Sequence, residues 1–336
     1  MLRSVGVLGT GAYLPEKVLS NADLERLVET SDDWIRSRTG IRERRIAAVE
    51  EAVSDLAYPA ALQALQNAGI AARDLDLIIV TTITPDMFFP STANVLQHRL
   101  EATKAASFDM AAACAGFLYG LSVASQFIAT GTYRYVLVVG AETLSKIVDY
   151  SDRNTCVLFG DGAGAAVLGP VRKGSGFLSF DLGSDGAGGD YLRLPAGGSR
   201  RPATLETVQN GEHFLQMSGN EVFKFAVRIM EQTALKVVED AKVALSDVDF
   251  LVPHQANIRI IDAAKRRLGL GDSQVVVNLD RYGNMSSASI PVALHEAVSE
   301  GRIRTGDRIV LVGFGAGLTW GGAVLRWDTE EVDVNG

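Results

Sequence analysis

One cysteine in the chain has a sequence context that suits a nucleophile. Cys114 lies among alanines and a glycine, inside a segment that predicts a long helix over residues 108–130. Apolar residues follow at the spacing of one helical face: Phe117, Leu121, Ala124 and Ile128. Because a helix N-terminus carries a positive dipole end and unpaired N–H groups, it favours the thiolate, the reactive form of cysteine. The alternative is a buried cysteine that packs as a small hydrophobe.

A histidine and an asparagine later in the chain offer complementary groups. His254 follows an apolar strand-like run, and Asn284 lies in a Gly-Asn turn. Each residue type alone is commonly structural. With Cys114 they supply a nucleophile and two neutral hydrogen-bond donors, which suits acyl transfer, where an oxyanion or enolate must be stabilised. The order Cys, His, Asn also fits a papain-like hydrolase, but the glutamine and tryptophan neighbours of that family's cysteine are missing here.

An internal repeat predicts how these residues meet. Residues 74–80 resemble 247–253, and residues 136–140 resemble 309–313, both at an offset of 173. Two strand matches at one offset indicate a duplicated α/β unit, with halves at 1–173 and 174–336 and a loop over 183–211. The offset makes Ser287 the counterpart of Cys114, and Thr81 that of His254.

The strands and helices between these matches predict the fold class. Strands are continuous apolar runs, typical of largely parallel sheets covered by helices on both faces. Besides the helix at Cys114, helical patterns cover 54–68, 220–244, 258–268 and 289–300. The uncharged run 110–133 contains polar and small residues, so we interpret it as a buried central helix rather than a membrane span.

Composition excludes several classes of function. The net charge of −8 argues against nucleic acid as the main partner. The four histidines form no pair with metal-ligand spacing, and the two cysteines with no signal-peptide pattern argue against a disulfide framework. We therefore expect a cytoplasmic protein without a metal and without membrane attachment.

Two further motifs have competing interpretations. Residues 32–45 place five arginines beside Trp34, which predicts either a nucleotide phosphate clamp with a stacking aromatic or a solvated polar face. Glycine-rich segments at 160–164 and 313–317 are followed by strand-like runs rather than helices. They therefore indicate tight hairpins, not dinucleotide loops, and the second can offer an N–H group to an oxyanion.

Several motifs in order resemble the β-ketoacyl-[acyl carrier protein] synthase III family of the thiolase-like superfamily. They cover 31–44, 111–117, 159–165, 253–257 and 283–284. The resemblance implies a five-layer αβαβα fold built from two duplicated halves. It implies a homodimer that needs no cofactor and uses acyl-CoA and malonyl-acyl carrier protein as substrates. The expected reaction is a decarboxylative Claisen condensation that starts fatty acid synthesis through a cysteine acyl-enzyme.

The resemblance also implies roles for individual residues. Cys114 would carry the acyl group, and His254 and Asn284 would hold the malonyl thioester. The remaining pocket residues would be Ala316 in the oxyanion hole, where the family often has glycine, Phe117 at the decarboxylation site, and Phe89 reaching into the partner's acyl pocket. Residues implied to bind CoA are Trp34, Arg38, Arg153 and Asn257. Residues implied to bind the acyl carrier protein are Lys224, Arg259, Arg266 and Arg267. A related condensing enzyme of secondary metabolism and a non-catalytic paralogue remain alternatives.

Overall fold

Strands and helices alternate along most of the chain, in a computed structural model that describes residues 2–332. The strands are β1 (Val5–Tyr13), β2 (Lys17–Ser20), β3 (Glu43–Ile46), β4 (Leu77–Thr81), β5 (Ala106–Met110), β6 (Val136–Thr143), β7 (Asp161–Pro170), β8 (Gly176–Ser184), β9 (Leu192–Arg193), β10 (Gln216–Met217), β11 (Phe250–Pro253), β12 (Arg308–Gly315) and β13 (Thr319–Arg326). The helices are α1 (Asn21–Leu24), α2 (Asp32–Thr39), α3 (Val53–Ala68), α4 (Thr92–Arg99), α5 (Gly116–Ala129), α6 (Arg153–Cys156), α7 (Leu205–Gln209), α8 (Gly219–Asp240), α9 (Ile258–Leu268), α10 (Leu279–Tyr282) and α11 (Ser289–Ser299).

Two mixed sheets form the centre of the fold. The first has the order β1-β7-β6-β4-β5, and the second has the order β11-β12-β13-β8. Parallel pairing is confined to β5-β4-β6 and β11-β12, whereas β7 and β13 run antiparallel to both of their neighbours. The expectation of largely parallel sheets is therefore only partly right. The physical reason is clearest at β12 and β13, where the glycine-rich hairpin returns the chain directly, without the crossover that a parallel pair needs.

Helices cover and separate these sheets to give five layers. Helices α5 and α11 pack between the two sheets, α3 and α4 cover the outer face of the first, and α8 covers the outer face of the second with α9 against it. Close packing of α5 depends on glycine, since a Cβ at Gly120 would lie 2.8 Å from Val138 Cγ1. The predicted αβαβα thiolase-like class is confirmed. Within residues 2–332, no helix is both long enough and apolar enough to cross a membrane.

The predicted helix over 108–130 begins too early. Residues 106–110 form strand β5, which pairs with β4, and α5 begins only at Gly116 after a 3₁₀ turn over Ala113–Ala115. Helix geometry is interrupted at Ala113, whose φ of +45° is left-handed. Of the other predicted helices, 258–268 is confirmed in full, and 220–244 ends four residues early, at Asp240. The predicted loop 183–211 contains β9 and α7.

The offset of 173 recurs in the backbone at the start of each central helix. The 3₁₀ turn Ala113–Ala115 has a counterpart in Ser286–Ala288, and each turn leads directly into its helix, α5 or α11. The left-handed residue recurs as well: Ser286, the counterpart of Ala113, has a φ of +47°. The two turns contact each other between the sheets.

Candidate active site

Cys114 lies where two cavities meet. The first has a volume of about 100 Å³, and the second about 180 Å³. His254, Asn284, Asn257, Phe223 and Phe314 line the first cavity together with Cys114. The second cavity is mostly apolar and is lined by residues that include Ile83, Leu144, Ile147, Leu194, Leu215 and Ala316. The structure thus brings the cysteine, histidine and asparagine singled out from the sequence to one place.

Burial opposes ionisation of the Cys114 thiol. Cys114 is 6% exposed, and burial raises the pKa of its thiol to about 12. Burial therefore opposes the thiolate that the helix N-terminus was expected to favour. Desolvation penalises the charged form, and it outweighs a dipole contribution that is worth about 0.3–1 kcal/mol near a helix end. A reaction at this sulfur needs a proton acceptor.

His254 presents a neutral, unpaired imidazole to the first cavity. The residue follows β11, where its backbone N–H donates to the carbonyl of Val312 at 2.8 Å. The side chain is 1% exposed, and neither ring nitrogen has a hydrogen-bond partner within residues 2–332. Burial lowers the pKa of His254 to about 3, so the ring carries no charge at neutral pH. The Phe314 ring packs against it in an edge-to-face arrangement, with the two ring centroids 5.6 Å apart.

Two backbone hydrogen bonds and one side-chain hydrogen bond hold Asn284 in place. Its N–H donates to the carbonyl of Leu158 at 2.8 Å, and its carbonyl accepts from the N–H of Gly160 at 3.0 Å. The side-chain oxygen accepts a hydrogen bond from the N–H of Ser286 at 2.8 Å. Since the oxygen is occupied in this way, the amide NH₂ is the group left to donate to a ligand.

The hairpin between β12 and β13 packs directly against the cysteine. A Cβ at Gly315 would lie 2.6 Å from the backbone nitrogen of Cys114, so this approach requires glycine. Ala316 follows and lines the second cavity. The hydroxyl of Thr319 lies 2.9 Å from the carbonyl oxygen of Ala112 and 3.0 Å from that of Ala316. It therefore ties the hairpin to the turn that carries the thiol.

One aromatic residue was assigned to the wrong position from the sequence. Phe117 is fully buried in the core between the sheets and lines neither of the two cavities. Phe314 lines the first cavity instead, against His254. Phe314 lies within the glycine-rich segment 313–317, whose sequence predicts a tight hairpin but gives no role to the aromatic side chain. The signal available was a large aromatic residue held between two glycines at the end of an apolar strand.

The residues implied to bind CoA cluster around Trp34. The guanidinium groups of Arg38 and Arg153 lie 4.6 Å and 5.0 Å from the centroid of its ring. Asn257 connects this group to the first cavity, because it lines that cavity and donates from its side chain to the carbonyl of Arg38 at 2.9 Å. Two cations therefore lie against the Trp34 ring, and Asn257 links them to the cavity that Cys114 also lines.

The basic residues implied to bind the carrier protein are all exposed, on the packed helices α8 and α9. Lys224 pairs with Glu221 at 2.8 Å, and Arg267 pairs with Glu231 at 2.9 Å. Arg259 stacks on Phe223, 5.0 Å from the ring centroid. Because Phe223 also lines the first cavity, this basic surface borders that cavity.

Phe89 is separate from both cavities of its own chain. Its side chain is 85% exposed, and its neighbour Phe88 is 81% exposed. Two adjacent exposed aromatic rings are unusual on a monomer surface.

As for metals, residues 2–332 contain no group of three or more histidine, cysteine, aspartate or glutamate side chains arranged to hold an ion.

Comparisons with known proteins indicate the same family as the sequence motifs. The family description 3-oxoacyl-[acyl-carrier-protein] synthase III matches residues 108–186, and the description of its C-terminal part matches residues 238–327. The chain is 62% identical to β-ketoacyl-[acyl-carrier-protein] synthase III of Desulfitobacterium hafniense, covering 98% of this chain and 99% of the relative. It is 60% identical to that of Symbiobacterium thermophilum, covering 97% and 99%.

Solved structures with similar folds carry related descriptions. The synthase III from Thermus thermophilus is 50% identical, with a TM-score of 0.90 and coverage of 97% of this chain and 100% of that one. The enzyme from Aquifex aeolicus is 46% identical, with a TM-score of 0.89 and coverage of 96% and 100%. The priming β-ketosynthase of the R1128 polyketide pathway is 37% identical, with a TM-score of 0.89 and coverage of 96% of both chains.

Proposed function

The chain belongs to the 3-oxoacyl-[acyl-carrier-protein] synthase III family, and from this premise we propose that it is the acyltransferase that starts fatty acid synthesis. It condenses an acyl-CoA primer with malonyl-acyl carrier protein. The observation that supports this most strongly is the meeting of Cys114, His254 and Asn284 at one cavity, which shares Cys114 with a second, mostly apolar one.

In the first half-reaction the sulfur of Cys114 attacks the thioester carbonyl of the primer. A sulfur–carbon bond forms to Cys114 as the bond to the CoA sulfur breaks, and the proton that the Cys114 thiol loses is balanced by the one that the departing CoA thiolate takes up. The backbone N–H groups of Cys114 and Ala316 stabilise the transient oxyanion, a role supported by the close approach of the hairpin. The alkyl part of the primer occupies the second cavity, whose apolar walls suit a short hydrocarbon chain.

In the second half-reaction His254 and Asn284 donate hydrogen bonds to the thioester carbonyl of the malonyl group. Loss of CO₂ leaves an enolate, whose negative charge these two donors stabilise. Its carbon attacks the acyl group on Cys114, the bond to the Cys114 sulfur breaks, and the released thiolate takes up a proton as the β-ketoacyl product leaves. A neutral imidazole serves as a donor here, and burial keeps His254 neutral by lowering its pKa to about 3.

The substrates approach from the side of Trp34. The adenine of CoA stacks at Trp34, with Arg38 and Arg153 beside the phosphates, and pantetheine passes Asn257. The acidic carrier protein docks on Lys224, Arg259, Arg266 and Arg267.

We further propose that each chain consists of two halves, 1–173 and 174–336, and that two chains form a cytoplasmic homodimer. In this dimer Phe89 enters the second cavity of the partner chain. Its high exposure in one chain supports this. No cofactor is required for this chemistry.

The experiment that tests the function separates the two half-reactions. His254→Ala and Asn284→Ala should lower condensation about 100-fold or more, because the enolate loses a donor, whereas transfer of a labelled acyl group from acyl-CoA to Cys114 should partly survive. Intact-mass analysis with a panel of acyl-CoAs measures the transfer and identifies the primer. Variants that accept no acyl group at all would contradict these roles. Thioester hydrolysis without malonyl-acyl carrier protein would favour a hydrolase.

Docking is tested by reversing one charge. Arg266→Glu should raise the KM for malonyl-acyl carrier protein about tenfold, because the residue lies on the exposed basic surface. The KM for acyl-CoA should not change. Arg304→Glu, an exposed arginine outside this surface, is the matched control. Equal effects of the two reversals would place the carrier protein elsewhere.

A condensing enzyme of secondary metabolism is the second candidate. The 37% identity to a priming β-ketosynthase of a polyketide pathway favours it. Offering the purified protein the acyl carrier proteins of fatty acid and polyketide synthesis in parallel separates the two, because only the preferred carrier should support condensation at low concentration.

A further inference from the structure

A fully buried arginine that the proposed mechanism leaves unused lies beside Asn284. Arg44, on β3, is 0% exposed. Its Cβ would lie 3.0 Å from a Cβ added at Gly160 and 3.4 Å from one added at Gly283. Gly283 precedes Asn284 in the chain, and the N–H of Gly160 donates to the Asn284 carbonyl at 3.0 Å. The side chain of Arg44 therefore starts against the backbone that flanks Asn284.

The guanidinium group of Arg44 donates to three neutral oxygens. One nitrogen donates to the carbonyl of Val157 at 2.8 Å, and another donates to the carbonyl of Leu19 and to the Asn21 side chain, each at 3.0 Å. Within residues 2–332, Nε has no hydrogen-bond partner. Burial lowers the pKa of Arg44 to about 10, so the side chain is charged at neutral pH. A buried cation with neutral acceptors is unfavourable, which favours a role for these particular bonds over simple filling of space.

The bond to Val157 reaches the segment that holds the backbone of Asn284. Directly after Val157, the carbonyl of Leu158 accepts from the N–H of Asn284 at 2.8 Å, and Gly160 pairs with the carbonyl of Asn284. Segment 157–160 thus forms a short parallel bridge with Asn284. A shift of the Val157 carbonyl would move the residue that supplies the amide NH₂ to the cavity.

A second buried side chain fixes the orientation of the guanidinium. Asn21 is 2% exposed. Besides accepting from Arg44, its amide donates to the carboxylate of Asp32 at 2.8 Å and to the carbonyl of Ile41 at 2.9 Å. The guanidinium is therefore held by the N-terminal elements on one branch and by segment 157–160 on the other.

From these contacts we infer that Arg44 is a positioning residue, which holds the amide NH₂ of Asn284 where the malonyl thioester needs it. This role rests on the proposed condensation and adds a residue to it. Arg44 lines neither cavity and acts through Val157 and the backbone of Asn284. The enolate is stabilised only by donors aimed at its oxygen, and a misplacement of about 1 Å can cost about 100-fold in rate.

The first half-reaction does not depend on this arrangement. Cys114 packs against the hairpin between β12 and β13 at Gly315, and Thr319 ties that hairpin to the turn that carries the thiol. Acylation uses no hydrogen bond from Asn284. Loss of Arg44 should therefore slow condensation and spare acyl transfer to Cys114, a split that a general loss of stability does not produce.

The test removes the guanidinium and keeps an apolar stem. Arg44→Met should lower kcat for condensation about 30-fold, less than the loss of Asn284 itself, while transfer of a labelled acyl group to Cys114 stays within about threefold of wild type. Arg172→Met is the matched control. It deletes the partner of Asp328, a buried carboxylate 3.0 Å away, and Arg172 lines neither cavity. It should destabilise the fold and leave the ratio of the two half-reactions unchanged.

Amide hydrogen exchange measures the same effect without any substrate. The amides of Asn284 and Gly160 are bonded across the bridge, so Arg44→Met should speed their exchange about tenfold through local opening. The amide of His254, bonded to the carbonyl of Val312, should exchange as in wild type.

Each outcome decides the matter. Equal losses in both half-reactions, or exchange that rises as much at His254 as at Asn284, would overturn the positioning role. If Arg44→Met does not fold, Arg44→Lys decides: one ammonium cannot replace a fork that reaches three acceptors, so condensation should fall about fivefold more than acylation, and an unchanged ratio would overturn the role. If wild type condenses nothing, the proposed function fails, and exchange still judges whether Arg44 holds Asn284.

Discussion

The turn that carries Cys114 and the turn that carries Ser287 have the same backbone and opposite surroundings. Each is a 3₁₀ turn with a left-handed residue at its start and a central helix after it, 173 residues apart. Cys114 borders two cavities and a neutral imidazole. The Ser287 hydroxyl lies within hydrogen-bond distance of Thr81 and Glu142, and it lines neither cavity. The duplicated backbone thus supplies two positions for a nucleophile, and access to a cavity distinguishes them.

The largest expected difference between the turns is in acyl transfer. Cys114→Ala should lower acyl-enzyme formation at least about 1,000-fold, because the attacking sulfur is lost. Ser287→Ala should retain most of it, since that hydroxyl does not border the cavity. Intact mass after incubation with acyl-CoA measures both variants. Acylation of the Cys114→Ala protein would show that another residue is the nucleophile.

A smaller effect is expected from the glycines beneath the two helices. Gly140 and Gly313 occupy matching places in β6 and β12. A Cβ at Gly140 would lie 2.3 Å from the backbone oxygen of Ser287, whereas one at Gly313 would lie 3.1 Å from the end of the Ile290 side chain. Gly140→Ala should therefore lower the free energy of unfolding by about 3 kcal/mol, and Gly313→Ala by about 1 kcal/mol.

Urea denaturation of the two alanine variants measures this difference. A side-chain end can move aside, but the Ser287 backbone is fixed between the sheets, so the order of the two effects follows from the structure. Equal destabilisation would mean that the two turns are equally adaptable, which would break the comparison.

The last comparison concerns the matching strand ends, where His254 titrates and Thr81 does not. The unfolded chain binds a proton at His254 below its ordinary pKa of about 6.5, whereas burial lowers the folded-state pKa to about 3. The unfolded state therefore binds more protons as the pH falls, and stability is lost between these two values. From pH 7 to pH 5 the free energy of unfolding should fall by about 2 kcal/mol more in wild type than in His254→Ala.

Denaturation curves at the two pH values check this expectation. Thr81→Val, which removes a buried hydroxyl bonded to Val139 at 3.1 Å, should keep the wild-type pH dependence. The same pH dependence in all three proteins would show that His254 is solvated in the native state.

Much of the site was predictable because its signals are local. The small residues around Cys114, the strand before His254 and the Gly-Asn turn at Asn284 are each visible within about ten residues of sequence. Their meeting also followed from the repeat, because duplicated units place matching turns together. Phe314 and the antiparallel strands were missed, since a hairpin's glycines do not show which surface the residue between them will face.

The sequence by itself determined the family, the order of the central elements and the identity of the three side chains around the thiol. Those properties depend on residue types and on spacing along the chain. Only the tertiary structure decided that burial opposes a charge on both the thiol and the imidazole, and that Phe314 rather than Phe117 lines the cavity beside His254. Desolvation and proximity arise between segments far apart in sequence, once two sheets close around the central helices and exclude water.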